Sequence, residues 1–459
     1  MRLATLLGPD LEDALKTDPD ALHDALEEFH PEDVAEIVEE LDLELTVELF
    51  NKLPDEFAAD VLTCLTSERQ TEILERLSRR SAADILSEMD PDDLVDVVQE
   101  LREEDAKLAD DLLAHIEEAA PEVAEDVREL SAYPEDVAGG LMTTDYVALT
   151  PETKVWRAIE EVRRLALDVG VETINYVYVV FKGKLVGVVS MRDLILSESS
   201  QELGDVMTEN VVTVRVTDDQ ELVARTIAKY DFTALPVLDE QGNLRGLVTV
   251  DDVVDVVIEE ATEDAHKMGA VQALEEGYFE TNLAQMFRSR VLWLSLLFVG
   301  GFLTATVMER FSDQLARAMT LAVFVPLIIS SGGNSGSQSA SLIIRALAVG
   351  DVVPSDWLRV FGREVLVSLA LGLVLGVLGF GRAFFAGGPD DDPVLLGVAV
   401  SLSTVGVVMT GSLLGSLLPL GIQRVGLDPA VSSTPFIASL VDVVGLLIYL
   451  TIAGAVLGV

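Results

Sequence analysis

The sequence predicts a multidomain membrane protein: an α-superhelical N-terminal domain, two tandem α/β modules, a connecting helix and an α-helical transmembrane domain with five helices. Three observations predict this class. Acidic charge is concentrated in the first 287 residues, five long uncharged runs follow, and one α/β pattern occurs twice. The predicted boundaries, listed in chain order, are 1–132, 133–200, 201–258, 259–284 and 285–459.

The chain of 459 residues has 79 acidic and 31 basic residues, a net charge of −48, yet its mean hydropathy is +0.37. From residue 288 onward there are 10 acidic and 9 basic residues, so the negative charge belongs to the preceding part. Proteins bind phosphate backbones through Lys and Arg. The negative charge of this part therefore argues against nucleic acid as a partner and favours cations. Adaptation of the whole surface to high salt is an alternative explanation, so charge density alone identifies no site. No cleaved signal peptide is expected, and the single Cys64 excludes an internal disulfide.

Short amphipathic helices are predicted in the N-terminal domain. Each begins with Pro or Ser, which favour the first positions of a helix. Leu, Ile and Val at three- and four-residue spacing give each helix one apolar stripe. Helices this short must stack to bury their stripes, which predicts an α-superhelix. The predicted helices are 31–41, 54–65, 67–77, 81–89 and 91–101.

The α/β pattern that follows is a tandem repeat. Segment 141–143 matches 206–208, and 185–193 matches 244–252. Each unit has a helical pattern (155–167 and 219–230), two β-rich runs around a polar turn, and a second helix. The repeated ending, Gly-apolar-apolar-Ser/Thr-x-x-Asp, resembles that of paired CBS modules.

The Ser/Thr and Asp of that ending are Ser190 with Asp193 and Thr249 with Asp252. They lie one turn apart at a helix start, where they can cap the helix. The resemblance to CBS modules implies contact with the ribose of an adenine nucleotide such as ATP. Helix capping is the preferred interpretation, and a bound nucleotide stays an alternative.

The segment 253–276 has a helical period and is densely acidic. Like charges at i,i+4 destabilise a helix unless cations lie beside them. Solvation in high salt is the alternative, but a helix that connects a soluble part to membrane spans favours regulatory cation binding. The residues that crowd onto little more than three turns here are Asp252, Asp255, Glu259, Glu260, Glu263 and Asp264.

Five uncharged runs predict five membrane-spanning helices, because a helix needs about 20 apolar residues to cross the hydrocarbon core. The runs are 291–308, 318–344, 365–381, 393–423 and 429–441, the last resuming over 443–459. Six arginines flank the spans on one side and three on the other, which places the N-terminus inside. We therefore expect a cytosolic acidic part, a C-terminus outside and a location in the plasma membrane.

Asp442 interrupts the fifth run, with 13 uncharged residues before it and 17 after it. An ionisable group at that depth costs from about 2.5 to more than 10 kcal/mol, so it should face a partner or an ion path. No other charged residue is expected deep in a span, so a proton relay would lack the further titratable groups that it needs. A catalytic carboxylate pair lacks its second Asp, and no enzyme is predicted. A structural hydrogen bond to a neighbouring helix is the remaining alternative.

One carboxylate per chain, doubled by a two-fold dimer, would give an oxygen site for a divalent cation. The carbonyl of Ala438, one turn earlier, points towards the same face. Oxygen ligands with retained water suit Mg²⁺, and the absence of His and Cys from the spans disfavours Zn²⁺ and Cu⁺. The second span contains a stretch of small and amide residues over 330–339, including Gly333 and Asn334. Close helix packing and pore lining are both compatible with it.

The order of parts and four motifs resemble the MgtE family of magnesium channels and transporters over essentially the whole chain. The motifs are Pro326 followed by Gly-Gly-Asn-x-Gly-x-Gln over 332–338, Glu-Ala-Thr-Glu-Asp over 260–264, Asp-Pro-Ala over 428–430, and Asp442-x-x-Gly445-x-x-x-Tyr449. The resemblance implies a homodimeric pore with Asp442 from both protomers, near the Ala438 carbonyl, Gly333 and Asn334. It also implies negative feedback by cytosolic Mg²⁺ bound between the N-terminal, CBS and connecting ("plug") regions.

The resemblance further implies a set of regulatory metal ligands. By region these are Asp60, Asp92 and Asp96; Asp219, Glu221, Asp231, Asp252 and Asp255; Glu260, Glu263 and Asp264; and Asp428.

Three other functions stay open. One is a transporter of broader divalent specificity, including Co²⁺ and Mn²⁺. A CBS-regulated anion channel is disfavoured, because an acidic vestibule repels anions. A membrane sensor without transport leaves Asp442 and the 332–338 motif unexplained.

Overall fold

A computed structural model describes residues 29–168, 174–274, 278, 281–385 and 392–458. The expectations for 1–28 and for most of the acidic loop at 390–392 lie outside these residues. The chain divides into two compact units, Met1–Val257 and Ile258–Val459, and each is described by itself. The predicted fold class is confirmed.

The described part of the N-terminal domain, from residue 29 onward, is a stack of seven helices. Helices of eight to ten residues are marginal alone, so buried Leu, Ile and Val side chains hold them together. Polar side chains cap several starts: Asp42 accepts from Glu44 N, and Ser78 accepts from Ser81 N. The helices are α1 (Pro31–Glu40), α2 (Leu43–Phe50), α3 (Asp55–Thr63), α4 (Ser67–Arg76), α5 (Arg79–Leu86), α6 (Pro91–Ala119) and α7 (Pro121–Leu130).

The sequence did not predict α2, α7 or the second half of α6. Helix α6 is kinked at Asp105, whose carboxylate accepts hydrogen bonds from the backbone N–H groups of Lys107 and Leu108. Asp105 therefore caps the second half as if a new helix began there. The pattern of the first half ends before this kink, which explains the predicted end at 101.

The two CBS-like modules share one topology. In each, a short strand pairs parallel with a second strand, which forms an antiparallel hairpin with a third. The first module has β1 (Ala148–Leu149), α8 (Val155–Asp168), β2 (Tyr176–Phe181), β3 (Lys184–Ser190), α9 (Met191–Leu196) and α10 (Leu203–Val206). The second has β4 (Val214–Arg215), α11 (Gln220–Tyr230), β5 (Ala234–Leu238) and β6 (Leu244–Thr249), followed by α12 (Val250–Met268).

The repeated Met-Thr motifs join the two modules. Thr143 pairs with Leu247 of the second module, and Thr208 pairs with Val188 of the first. A Cβ added to Gly187 would clash with the Met207 side chain, and one added to Gly246 would lie 2.9 Å from Met142 Cγ. The repeated glycine therefore makes room for the methionine of the neighbouring motif.

Helix α12 runs from the second module into the predicted connecting segment, so the predicted helix over 259–284 is wrong in both bounds. The helix starts at Val250 because Thr249 and Asp252 cap it there. It ends at Met268 because Ala270 takes a left-handed backbone conformation (φ 57°) and Val271 N donates back to His266 O. The described residues 269–274 are not helical.

Five helices among the described residues are long and apolar enough to cross a membrane. They are the first span α13 (Leu283–Arg310), the second span α15 (Met319–Ala348), the third span α16 (Trp357–Phe384), the fourth span α17 (Pro393–Arg424) and the fifth span α18 (Thr434–Leu457). A short helix, α14 (Ser312–Arg317), lies between the first two. The fifth span starts later than its uncharged run, because Pro429–Val431 form a 3₁₀ turn.

The second and fourth spans pack backbone to backbone. A Cβ added to Gly411 or Gly415 would collide with the carbonyl oxygen of Gly332 or Gly336, respectively. Ser335 and Ser412 hydroxyls lie 2.6 Å apart in the same seam. The small residues of the 332–338 motif therefore serve close packing on one helix face.

Gly415→Ala is expected to lower the stability of the protein in detergent by about 1–3 kcal/mol, since an added methyl overpacks this contact. Gly421→Ala, on the same helix with nothing within 4 Å of its added Cβ, is the matched control. It should be neutral or stabilising, because Ala is the better helix former. Equal thermal midpoints for the two variants would contradict the packing assignment.

Candidate functional site

Asp442 is half-buried on the fifth span, and eight helical residues precede it. Within the described residues its carboxylate has no hydrogen bond or ion pair, so the alternative of a structural bond to a neighbouring helix gains no support. The carboxylate is therefore available to a cation.

The surroundings of Asp442 are set by the packing of the second span against the fifth. A Cβ on Gly332 would lie 3.0 Å from Val441 Cγ1, a tight contact, whereas one on Gly333 would lie 3.8 Å from Ala438 Cβ, an ordinary contact. The next residue, Asn334, is exposed on another face of the second span. The structure thus brings Gly333 against Ala438 beside Asp442, and the stretch has both a packing face and an exposed amide.

The rest of the Asp442 motif fixes the register of the fifth span. Gly445 lies against the fourth span, where an added Cβ would be 3.0 Å from Val407 Cγ1. The buried Tyr449 hydroxyl donates to Leu321 O of the second span at 2.8 Å. These two contacts hold the helix that carries Asp442 in one position.

Glu364 is a carboxylate that the sequence analysis missed. The third span begins at Trp357, so seven helical residues precede Glu364, nearly as many as precede Asp442 in its own helix. Ser339 Oγ, one residue beyond the 332–338 motif, donates to Glu364 Oε2 at 2.8 Å. Glu364 therefore places a second carboxylate within a span helix, beside the small-residue stretch of the second span. The uncharged run hid it, because that run begins only at residue 365.

A second acidic region lies within the first unit, where α6 and the start of α12 contribute carboxylates. Burial, then repulsion from Asp90, Asp252, Asp251 and Asp255, raises the pKa of Asp93 to about 7. Burial, then neighbours including Asp93 and Asp252, raises the pKa of Asp96 to about 7. Burial also raises the pKa of Asp90 to about 6.

The structure thus brings together several predicted regulatory ligands: Asp96, Asp252 and Asp255 through these repulsions, with Asp60 acting on Asp90. Asp92 lies on the same helix and is 8% exposed. Asp90, Asp93 and Asp251 belong to the group and were missed. Their proximity depends on tertiary packing, which no local pattern reveals.

Asp219, Glu221 and Asp231 have local roles around α11. Asp219 caps the helix by accepting from Glu221 N, Glu221 pairs with Arg225, and Asp231 ends the helix in a left-handed conformation.

Among the residues that the structure describes, no three His, Cys, Asp or Glu side chains are grouped closely enough to hold a metal ion. The carboxylates of the first unit are close enough to repel one another without forming a ready-made ligand cage.

The raised pKa values predict how pH affects stability. A buried Asp with a raised pKa keeps its proton in the folded state, so stability is lost as pH rises from about 4 to about 7. Without divalent cations, the thermal midpoint should be lower at pH 8 than at pH 6 by at least about 5 °C, and Mg²⁺ should recover more at pH 8. Asp93→Asn should flatten this dependence. A midpoint that rises from pH 6 to pH 8 in chelator would contradict the assignment.

At the proposed nucleotide positions the structure shows capping contacts. Ser190 Oγ accepts from Asp193 N at 3.1 Å, and Thr249 Oγ1 donates to Asp252. Asp193 is exposed, whereas Thr249 is 2% exposed. The first pair is thus the more exposed of the two.

In the second unit, the connecting helix carries Glu260, Glu263 and Asp264 on its last turns. Lys267 Nζ lies 2.7 Å from Glu263 Oε1 and 2.8 Å from Asp428 Oδ2. Burial opposes the charged form of Lys267, but the hydrogen bonds to Asp428 and Glu263 outweigh it and raise the pKa of Lys267. Glu263 and Asp428, two of the predicted metal ligands, therefore already share one positive charge, the ammonium of Lys267.

Comparison with known proteins supports the family resemblance of the motifs. Family profiles match residues 325–452 (divalent cation transporter), 29–136 (MgtE intracellular N domain), and 136–199 and 203–259 (CBS domain). The magnesium transporter MgtE of Thermus thermophilus is 46% identical over 334 residues, covering 72% of this chain and 73% of the relative.

Two solved structures resemble the N-terminal half. The cytosolic domain of the Mg²⁺ channel MgtE in complex with ATP is 43% identical, with a TM-score of 0.51, and covers 54% of this chain and 98% of that chain. The soluble part of a magnesium transporter is 34% identical, with a TM-score of 0.51, and covers 56% of this chain and 98% of that chain. The resemblance inferred from the motifs is confirmed, and the chain belongs to the MgtE family of divalent cation transporters.

Proposed function

We propose that this protein moves Mg²⁺ across the cell membrane along a path that includes Asp442, and that cytosolic Mg²⁺ closes the path by negative feedback. The observation that carries the proposal is Asp442 itself: a half-buried carboxylate on a long apolar helix, one turn after Ala438, which faces Gly333 of the second span. A charge held there at a cost of several kcal/mol needs a cation to offset it.

The same carboxylate supports a homodimer. One Asp supplies too few oxygens to hold and select a hard divalent cation, and a two-fold axis beside the fifth span would supply a second. Asn334, exposed on the neighbouring span, would add an amide oxygen. The arginine distribution supports an orientation with the N-terminus in the cytosol and the C-terminus outside.

The acidic region around Asp93, Asp96 and Asp252 supports feedback. Repulsion among its carboxylates falls when Mg²⁺ binds, so Mg²⁺ shifts the population towards the arrangement that packs them together. Glu260 and Asp264 on the connecting helix would add ligands next to the membrane domain. An adenine nucleotide such as ATP would bind at the more exposed pair, Ser190 and Asp193.

Ion flux into liposomes tests the proposal. Purified protein should pass Mg²⁺ and should not pass Cl⁻. Co²⁺ and Mn²⁺ entry measures how broad the divalent specificity is. Chloride flux without Mg²⁺ flux would establish an anion channel, and no flux of any ion would establish a sensor; either result overturns the proposal.

A further inference from the structure

The end of the connecting helix is held to the membrane-spanning unit by a lysine. Lys267 Nζ lies between Glu263, one turn earlier on the same helix, and Asp428, in the segment between the fourth and fifth spans. The lysine side chain is 28% exposed and both carboxylates are 35% exposed, so the three charges are partly shielded from water. Partly buried charge pairs are screened less by salt than exposed pairs.

Both oxygens of Asp428 have partners. Oδ1 accepts from Ala430 N at 2.7 Å and caps the 3₁₀ turn, while Oδ2 accepts from Lys267. A divalent cation on Oδ2 would lie beside the Lys267 ammonium and would be repelled by it. The negative charges of Glu263 and Asp428 are therefore already offset by a side chain of the protein, Lys267.

Neighbouring contacts place Lys267 at this position. Met268 packs into the apolar cluster of the spans, and Gln272 N donates to Ser289 O of the first span at 3.0 Å. Lys267 also lies in the last turn of its helix, where the helix dipole favours a positive charge. The contact thus combines apolar packing, a backbone hydrogen bond and a charge bridge.

We propose that Lys267 is a tethered cation that takes the place of Mg²⁺ between Glu263 and Asp428, so that this contact closes without metal. A tethered ammonium needs no ion from solution, whereas Mg²⁺ must give up tightly held water to bind two carboxylates directly. Feedback by Mg²⁺ then acts through the other acidic residues. Lys267 favours the contact between the connecting helix and Asp428 at every Mg²⁺ concentration. The proposal rests on the proposed regulation by Mg²⁺ and not on transport.

Hydrogen exchange of the turn at 427–433 tests the proposal in the full-length protein. In the wild type, this turn should exchange at the same rate in chelator and in Mg²⁺. In Lys267→Met it should exchange about threefold to tenfold faster in chelator, the range expected for losing a partly shielded charge bridge. In this variant Glu263 and Asp428 face each other without a cation. Added Mg²⁺ should bind between them and restore slow exchange.

Two further variants complete the test. Lys267→Arg keeps the charge and should stay close to the wild type without metal. Lys52→Met breaks another i,i+4 pair, with Glu48, and should leave the turn unchanged. The proposal is overturned if the wild-type turn needs Mg²⁺ for protection, if Lys267→Met exchanges like the wild type, or if Lys267→Arg behaves like Lys267→Met. Loss of Mg²⁺ flux with this exchange pattern intact would refute the transport function and leave the tethered cation standing.

Discussion

Asp442→Asn is expected to reduce Mg²⁺ flux by at least about 100-fold while leaving the protein folded. The substitution keeps the shape of the side chain and removes its charge. A unit charge pair 4 Å apart at an effective dielectric constant of about 20 is worth about 4 kcal/mol, so losing the carboxylate removes most of the attraction for a bare or partly hydrated divalent ion. Asp442→Ala should fail equally. Flux is measured as Mg²⁺ entry into liposomes containing equal amounts of folded protein.

The control for this prediction is Glu309→Gln. Glu309 is an exposed carboxylate in the last turn of the first span, so the substitution makes the same charge change at a span end. Its flux should stay within about twofold of wild type, since isolated exposed charges contribute little. Wild-type flux through Asp442→Asn would remove Asp442 from the ion path.

Neutralising Glu260 and Asp264 together is expected to weaken feedback, raising the Mg²⁺ concentration that closes the path by at least about tenfold. One lost carboxylate ligand costs more than about 1.4 kcal/mol, which is a factor of ten in affinity. The double substitution, Glu260→Gln with Asp264→Asn, leaves Glu263 and its bond to Lys267 in place. Flux is measured against the Mg²⁺ concentration on the cytosolic side.

Surface acidity in high salt makes a different prediction for this pair. If Glu260 and Asp264 only solvate the surface, then any exposed pair should behave in the same way. The matched control is Glu103→Gln with Glu118→Gln, two exposed carboxylates of α6. The same Mg²⁺ response in both double variants would assign the acidic end of the connecting helix to solvation.

Much of the fold follows from local pattern. The Pro and Ser starts predicted five of the seven helices described between residues 31 and 130, and the Met-Thr repeat predicted the shared topology of the two modules. Uncharged runs predicted five spans. The same method placed the start of the fifth span too early, because Pro429–Val431 are uncharged but form a 3₁₀ turn. A hydropathy run marks which residues suit the membrane, and capping and proline positions decide where the helix begins.

The site was predicted only where chemistry is visible in the sequence. Asp442 stands out because it is charged within an apolar run. Asp93 does not, because its importance comes from packing α6 against the start of α12. Lys267 was overlooked for the opposite reason: a lysine in an acidic helix is expected to pair, but its second partner, Asp428, is 161 residues away in the chain. The roles of Asp93 and Lys267 thus depend on contacts between segments that are distant in the sequence.

The proposed transport and feedback are tested together by the rate of Mg²⁺ entry into liposomes, measured as a function of Mg²⁺ on the side of the cytosolic domains. We expect rapid entry when that Mg²⁺ is removed, and a fall to background as it is restored. Asp442→Asn should show background entry at every concentration. Entry that is independent of Mg²⁺ on the cytosolic side would contradict the feedback. Equal entry in the wild type and in Asp442→Asn would contradict the ion path.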